Sequence, residues 1–273
     1  MAKFGIMQSR LSPSQDGRLQ FFPKDWQKEF PIAKQLGFDC IEWVWDWDDR
    51  YYNPIEKNIG SEMINKIVEE SGTPVHSICA DYFMKNRLTR NAHEKISRIL
   101  RRAAVGAFSS RIKLIGIPIL EEFTIKTLRD KIDVFACLTR FLKDIDGLGI
   151  ELALETELPG DELREFIEIF DDARIGACYD TGNLITLGHD LPRDIRLLGK
   201  MIKQVHLKDR KVGSTQSVYL GEGDVNFEEC FRALHDIGFD GLFVLQAWRG
   251  EDYIGDAKRQ LDFVKEIWTK TGG

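Results

Sequence analysis

Short apolar runs alternate along the chain with longer stretches in which apolar residues recur every three or four positions. The short runs have the length and β-branched content of buried strands, whereas the longer stretches have the period of amphipathic helices. The predicted strands are residues 3–7, 40–44, 74–80, 112–117, 150–155, 174–180, 201–207 and 241–246. The predicted helices are 25–37, 61–72, about 91–108, about 125–148, 160–171, 192–200, 227–238 and 255–270.

This strand–helix alternation, repeated eight times, predicts a parallel sheet with right-handed crossovers. The segments LGFD (36–39), LGIE (148–151) and IGFD (237–240) repeat one junction: a helix end, a glycine cap and entry into the next strand. Eight such units in a chain of 273 residues match the size of a (β/α)8 barrel. Because no linker or low-complexity tract interrupts the pattern, we predict one α/β domain, a TIM barrel over residues 1–273.

Composition narrows the class of protein. The net charge is −6, which argues against a nucleic-acid partner. No apolar run is long enough for a membrane helix, and the N-terminal segment MAKFGIMQSR lacks the apolar core of a signal peptide. The five cysteines are odd in number and widely separated, so we expect reduced thiols and a cytoplasmic protein. They are Cys40, Cys79, Cys137, Cys178 and Cys230.

Four polar side chains end the last four apolar strands. Glu155, Asp180, His206 and Gln246 each follow a buried run, and in this fold the carboxyl ends of the strands carry the chemistry. Neighbouring strands lie about 4.8 Å apart, so these side chains can converge. Two carboxylates, an imidazole and an amide oxygen suit Mn²⁺, Mg²⁺ or Co²⁺, and Zn²⁺ less selectively. Taken singly, each could instead be a hydrogen-bonded residue that closes its barrel layer.

At these residues the sequence resembles the xylose isomerase-like barrels. This group contains sugar isomerases, sugar and sugar-phosphate 3-epimerases, inosose dehydratases and the AP endonuclease IV enzymes. The matching segments are LALETE around Glu155, CYDTGN around Asp180, VHLKDR around His206 and LGEGDVNF at 220–227. HSICADYFMKNRL at 76–88 is similar to the strand-3 region of the L-ribulose-5-phosphate 3-epimerase branch.

The resemblance implies a metal-dependent enzyme that moves a proton next to a sugar carbonyl through an enediolate. Glu155, Asp180 and His206 match three of the four family metal ligands, and Gln246 stands where the family usually has a glutamate. The Gln246 amide oxygen can still bind a cation, but it cannot accept a proton as a base. Of the two glutamates that flank the substrate in the epimerases, only Glu155 remains. Relatives are often oligomers, so we expect a homo-oligomer acting on a small sugar or sugar phosphate.

The proton-transfer groups that the residues suggest are few. Glu155 is the candidate base, with Glu157 or Asp209 as second choices. The reprotonating acid is His76, Lys208 or a bound water. His76 could equally be a structural histidine of strand 3.

Other residues are candidates for the pocket wall. Glu42 ends strand 2 and either contacts the substrate or forms a salt bridge in the barrel mouth. Trp45, flanked by Trp43 and Trp47, either walls a sugar or covers the rim. Lys208 and Asp209 follow the strand-7 histidine as further substrate contacts.

Arginines follow four of the strands and could hold a phosphate or carboxylate by a bidentate fork. They are Arg10, Arg87, Arg210 and Arg249, of which Arg210 and Arg249 are our substrate-binding candidates. The alternative for each is a solvated surface arginine. GEGD at 221–224 is interpreted as an active-site loop, and Cys178 as a core residue.

Three other functions remain open. A single base suits an inosose-type dehydratase as well as an isomerase or epimerase. DNA repair at abasic sites is disfavoured by the acidic charge and by the presence of only five histidines. A sugar- or metal-binding barrel without turnover is possible because Gln246 replaces the second base.

Overall fold

The computed structural model of the chain describes residues 2–15, 17–57, 59–90 and 93–272. Eight parallel strands form a closed barrel. They are β1 (Lys3–Met7), β2 (Cys40–Val44), β3 (Val75–Cys79), β4 (Leu114–Ile119), β5 (Glu151–Thr156), β6 (Ile175–Asp180), β7 (Ile202–Leu207) and β10 (Leu242–Leu245). Around the barrel the order is β1-β10-β7-β6-β5-β4-β3-β2. The predicted (β/α)8 barrel and all eight predicted strands are confirmed.

Helices surround the barrel. They are α1 (Glu29–Leu36), α2 (Gly60–Ser71), α3 (His93–Ser109), α4 (Leu128–Asp144), α5 (Gly160–Glu168), α6 (Thr181–Thr186), α7 (Leu191–Leu198), α8 (Phe227–Asp236) and α9 (Tyr253–Thr271). The prediction placed the start of the first helix at Asp25, but Trp26–Lys28 is a 3₁₀ turn and α1 starts at Glu29. Pro31 therefore lies in the first turn of α1, where a missing N–H breaks no intrahelical bond.

One helix was not predicted. The six residues of α6 follow β6 directly, and Asp180, the last residue of β6, is also the helix cap. A helix this short has too few residues to produce a periodic pattern, so its sequence resembles a loop. Its position brings the residues after Asp180 back over the barrel mouth.

A second addition follows β7. The two-residue strands β8 (Asp209–Arg210) and β9 (Ser217–Val218) pair antiparallel and form a small hairpin. The predicted strand at 201–207 and the predicted helix at 227–238 are 19 residues apart, and the hairpin accounts for part of this connection.

The barrel interior contains both apolar and polar side chains. A cluster of apolar and thiol side chains fills part of it, namely Met7, Cys40, Val44, Cys79, Leu242 and Val244. Polar residues of β2, β3 and β7 are also fully buried, namely Glu42, Ser77, Gln204 and His206. Buried polar groups require partners, and those partners form the site described below. Among the described residues, no helix combines the length and apolarity needed to cross a membrane.

Candidate active site

A cavity of about 330 Å³ opens at the carboxyl ends of the strands. Side chains from β4 and β5 and from the residues after β7 and β10 reach it, as do residues of α6 and of the turn after β3. Its polar wall includes Asp81, Glu155, Asn183, Lys208, Arg210 and Gln246. This is the end of the barrel at which the sequence predicted a site.

Glu155 is held in place from two sides. Its Oε1 accepts a hydrogen bond of 2.7 Å from Nδ2 of Asn183, which lies in the first turn of α6. Its Oε2 lies 3.4 Å from Nδ1 of His206. The side chain is only 3% exposed, so both oxygens face the interior of the site.

Asp180 lies at the junction of β6 and α6, and its carboxylate forms an ion pair with the buried Lys208 ammonium. Its Oδ1 caps the helix by accepting the Asn183 N–H at 2.7 Å, and its Oδ2 accepts from Lys208 Nζ at 2.9 Å. Burial disfavours the charged carboxylate, but Lys208, His206 and the Asn183 N–H outweigh this and lower the pKa of Asp180. The Lys208 stem lies against Gly182, where an added Cβ would come within 2.6 Å of Lys208 Cγ.

His206 is fully buried between carboxylates. Its Nε2 lies 3.0 Å from Oε2 of Glu42, and its Nδ1 lies 3.4 Å from Glu155 and 3.9 Å from Asp180. Burial alone would lower the pKa of His206, yet Cys178, Glu42 and Glu155 raise it well above the usual range. The ring is therefore oriented so that Nε2 faces Glu42 and Nδ1 faces the two site carboxylates.

Glu42 forms a buried network behind His206. Its Oε1 accepts from Ser77 Oγ at 2.9 Å and from Gln204 Nε2 at 2.5 Å. The side chain has no exposed surface. Glu42 therefore supports His206 and does not line the cavity.

Within the described part of the chain, the side-chain amide of Gln246 is hydrogen-bonded through its nitrogen only. Its Nε2 is 3.5 Å from the sulfur of Met7, while its buried Oε1 has no hydrogen-bond partner among the described residues. The backbone N–H of Gln246 donates to Leu207 O at 3.1 Å, which ties the residue to the end of β7.

The donor set fits a divalent cation. Two buried ligand atoms, His206 Nδ1 and Gln246 Oε1, lack a hydrogen-bond partner within the described chain, which is costly unless something binds them. Glu155, Cys178 and His206 each offer a ligand atom, and these atoms lie within 4.8 Å of one another. Burial raises the pKa of Cys178 to about 12, so its thiol stays protonated at neutral pH and the carboxylates are the better ligands.

The model of the xylose isomerase-like TIM barrel family matches residues 30–267. The chain belongs to this family. Among the curated relatives, L-ribulose-5-phosphate 3-epimerase UlaE of Escherichia coli O1:K1 / APEC is 26% identical over 90% of this chain and 91% of its own length.

Solved structures with the same fold include two that superpose over almost the whole chain. An L-ribulose 3-epimerase superposes with a TM-score of 0.77 at 17% identity, over 99% of this chain and 96% of its own. The IOLI protein with a binding zinc atom gives a TM-score of 0.76 at 17% identity, over 98% and 97%. The curated relative named above as an L-ribulose-5-phosphate 3-epimerase supports an isomerase-class enzyme.

Within this family barrel, the structure brings together most of the residues predicted for the metal and the base. Glu155, Lys208, Arg210 and Gln246 line the cavity, and Asp180 and His206 contact them from the wall. Glu157, the second-choice base, also lines the cavity, although its Oε1 accepts the Glu121 N–H at 3.0 Å.

Two predicted substrate contacts, one from β2 and one from the residue after it, are not in the cavity. Glu42 lies behind His206, as described above. Trp45 is fully buried, stacks on Tyr82 with ring centroids 5.1 Å apart, and donates from Nε1 to Glu56 at 2.8 Å. It therefore has no face to offer a sugar, and the prediction that it covers the barrel rim describes it better.

Asp209 organises a loop and does not reach the cavity. Its carboxylate accepts the backbone N–H groups of Gly221, Gly223 and Val225 at 2.9, 2.9 and 3.2 Å. A Cβ on Gly223 would come 2.2 Å from Asp209 Oδ1, so only glycine permits this approach. The GEGD segment is thus held by Asp209, which leaves this carboxylate unsuited to bind substrate or act as a base.

His76 lies at the other end of the barrel. It is the second residue of β3, and its Nε2 is 2.8 Å from Nζ of Lys3, the first residue of β1. The amino ends of the strands are remote from the cavity, so His76 does not serve as the acid.

Three of the four arginines are also away from the cavity. Arg249 is buried over the Tyr253 ring and lines a small neighbouring cavity with Arg10. Arg10 donates from Nε to Ala247 O at 3.0 Å and so fastens the loop after β1 to the residues after β10. Arg87 pairs with Asp130 at the surface. Arg210 alone of the four lines the cavity with Glu155.

Sequence reasoning missed Asp81, Gln20 and Asn183, which line the cavity. Asp81 ends the apolar strand-3 run SICA, which is the signal that identified the other four strand ends. Asn183 lies in the unpredicted helix α6, and Gln20 lies in an irregular loop that carries no pattern.

Proposed function

We propose that this protein is a divalent-metal-dependent epimerase or isomerase of a ketose or ketose phosphate, acting through an enediolate. The observation that carries the proposal is that two buried ligand atoms, His206 Nδ1 and Gln246 Oε1, have no hydrogen-bond partner among the described residues and belong with two carboxylates to a cavity of sugar size. The family relatives that are sugar 3-epimerases support the same class of reaction.

Four residues would hold the cation: Glu155, Asp180, His206 and Gln246. When bound, the ion supplies Lewis-acid polarisation of a substrate carbonyl and its neighbouring hydroxyl. Oxygen-rich ligands favour Mn²⁺ or Mg²⁺, with Co²⁺ or Zn²⁺ as alternatives. The zinc in the related IOLI structure supports metal binding in this fold.

Glu155 acts as the base in this proposal. Asn183 fixes its Oε1, which leaves the carboxylate oriented for a C–H next to the substrate carbonyl. The Lys208 ammonium, held by Asp180, stands at the wall where it can donate to an oxygen of the substrate.

Arg210 favours a substrate with an anionic end. Its Nε bonds Ser217 Oγ at 3.3 Å, and it lines the cavity beside Thr186 and Thr215. A guanidinium with neighbouring hydroxyl groups is a common receptor for phosphate. A ketose phosphate therefore fits the site better than a neutral ketose.

Solvent-deuterium incorporation tests the proposal. The protein is incubated in D₂O with ketoses, ketose phosphates and inososes, first with Mn²⁺ or Mg²⁺ and then with EDTA, and the products are followed by NMR. We expect metal-dependent deuterium at C3, which indicates epimerisation. Deuterium at C1 or C2 would indicate an aldose–ketose isomerase, loss of water from an inosose a dehydratase, and no exchange across the panel would contradict the proposal.

A further inference from the structure

Gln246 leaves the site without a second carboxylate where the resemblance leads one to expect it. Epimerisation needs a proton to leave one face of a carbon and another to arrive on the opposite face. Glu155 supplies one such group, and the amide of Gln246 cannot supply the other. A second acid must therefore come from elsewhere in the cavity wall.

Asp81 is positioned to replace it. It is the second residue after β3, in the turn Asp81–Met84, and it lines the same cavity as Glu155 and Gln246. In the barrel, β3 and β5 are separated by β4, whose Pro118 also lines the cavity between them. The two carboxyl groups therefore approach the cavity from different strands.

The surroundings of Asp81 raise the pKa of its carboxyl group. Its partners among the described residues are neutral: the Gln20 amide donates to Oδ2, and the Cys79 thiol lies 3.3 Å from Oδ1. Burial raises the pKa of Asp81, the two hydrogen bonds oppose this, and the charges of Glu155 and Glu42 raise it further. A carboxyl group of this kind is the complement of a carboxylate base in the same cavity.

We propose that Asp81 is the second acid–base residue of the reaction and works on the face of the substrate opposite Glu155. This rests on the proposed function. The Glu155 carboxylate removes the proton from carbon, which leaves the enediolate and a protonated Glu155. The Asp81 carboxyl group then gives its proton to the other face of the same carbon, which yields the epimer and an ionised Asp81. Exchange with water transfers a proton from Glu155 back to Asp81 and completes the cycle.

The test separates proton exchange from inversion. Asp81→Asn keeps the shape of the side chain and an oxygen for the Gln20 amide, but it has no acidic proton. In D₂O with Mn²⁺, we expect the variant to exchange deuterium into the epimer whose proton Glu155 removes. Conversion to the other epimer should fall about 100-fold or more, in line with the loss of a general acid. Starting from the other epimer, deuterium exchange itself should be lost.

Two further variants sharpen the result. Asp81→Glu retains an acid and should restore part of the conversion. Glu157→Gln removes another carboxyl group of the wall, and in this variant exchange should still be seen from both epimers. The melting temperature of each variant verifies folding, and Asp240→Asn, an exposed aspartate, is the matched control.

The outcomes are distinguishable. If the wild type epimerises and Asp81→Asn does so equally well, Asp81 is not the acid and the proposed function stands. Equal loss of exchange from both epimers in Asp81→Asn, or one-sided exchange in Glu157→Gln instead, would also overturn the assignment. Absence of any deuterium exchange in the wild type would contradict the proposed function, and the role of Asp81 would fall with it.

Discussion

His206 Nε2 and Glu42 Oε2 lie 3.0 Å apart, and both side chains are fully buried in the barrel. A carboxylate behind an imidazole fixes the ring so that the other nitrogen, Nδ1, faces Glu155 and Asp180. Glu42 thus acts on the candidate metal site through His206. Of the two roles that the sequence suggested for Glu42, substrate contact or a salt bridge, the structure has the salt bridge.

Glu42→Gln should weaken metal binding although Glu42 is not one of the proposed metal ligands. The amide cannot hold the His206 ring as a carboxylate does, so we expect the dissociation constant for Mn²⁺ to rise about 10- to 100-fold. Isothermal titration calorimetry measures this directly. Ser77→Ala removes a single hydrogen bond to Glu42 and should have a much smaller effect; equal affinities of Glu42→Gln and wild type would contradict the role of Glu42.

Gln246→Glu should tighten metal binding. A carboxylate in place of the unpaired amide oxygen adds negative charge to a cation site, and we expect an affinity for Mn²⁺ about tenfold higher. Gln246→Leu, which removes the oxygen, should lower the affinity. The same titrations measure both variants, and unchanged binding in Gln246→Leu would exclude this side chain as a ligand.

Glu29 should make the stability of the fold depend on pH. It is buried and accepts from Ser9 N, Leu11 N and Ser12 Oγ, but burial outweighs these bonds and raises its pKa from 4.5 to about 7. As the pH rises, Glu29 therefore ionises at a lower pH in the unfolded chain than in the folded chain. The contribution of Glu29 to stability is fully present below pH 4.5, declines as the pH rises through 7, and changes little above that.

Urea unfolding at pH 5 and pH 8 measures this effect. The shift corresponds to roughly 3 kcal/mol of unfolding free energy, and Glu29→Gln should remove most of this difference between the two pH values. Glu69→Gln, at an exposed position, serves as the control. An identical pH dependence in wild type and Glu29→Gln would show that Glu29 is ionised in the folded chain.

Asp209→Ala should loosen the loop after β7. The carboxylate accepts three backbone N–H groups that would lose this partner, and the one from Val225 is buried, so we expect a loss of about 1 to 3 kcal/mol of stability. We expect faster proteolysis in the 219–225 segment and a lower melting temperature. Glu222→Ala, an exposed substitution in the same loop, should change neither; if both variants behave alike, the Asp209 bonds do not hold the loop.

The repeated alternation of strand and helix in the sequence was sufficient to predict the barrel. Apolar periodicity and glycine caps are local properties, and a right-handed crossover leaves few ways to assemble eight such units. The same reasoning located Glu155, Asp180, His206 and Gln246, because a polar residue that ends an apolar strand is visible in one dimension. Asp81 carried that signal too, and it was overlooked.

Tertiary structure decided what each polar residue faces. His76 and Glu42 both belong to apolar strand runs, yet one lies at the amino end of the barrel beside Lys3 and the other behind His206. Asp209 follows the His206 strand closely in the chain, but its bonds go to a loop more than ten residues away. Such partners depend on strand register, barrel closure and the packing of distant segments, and a linear pattern contains none of these distances.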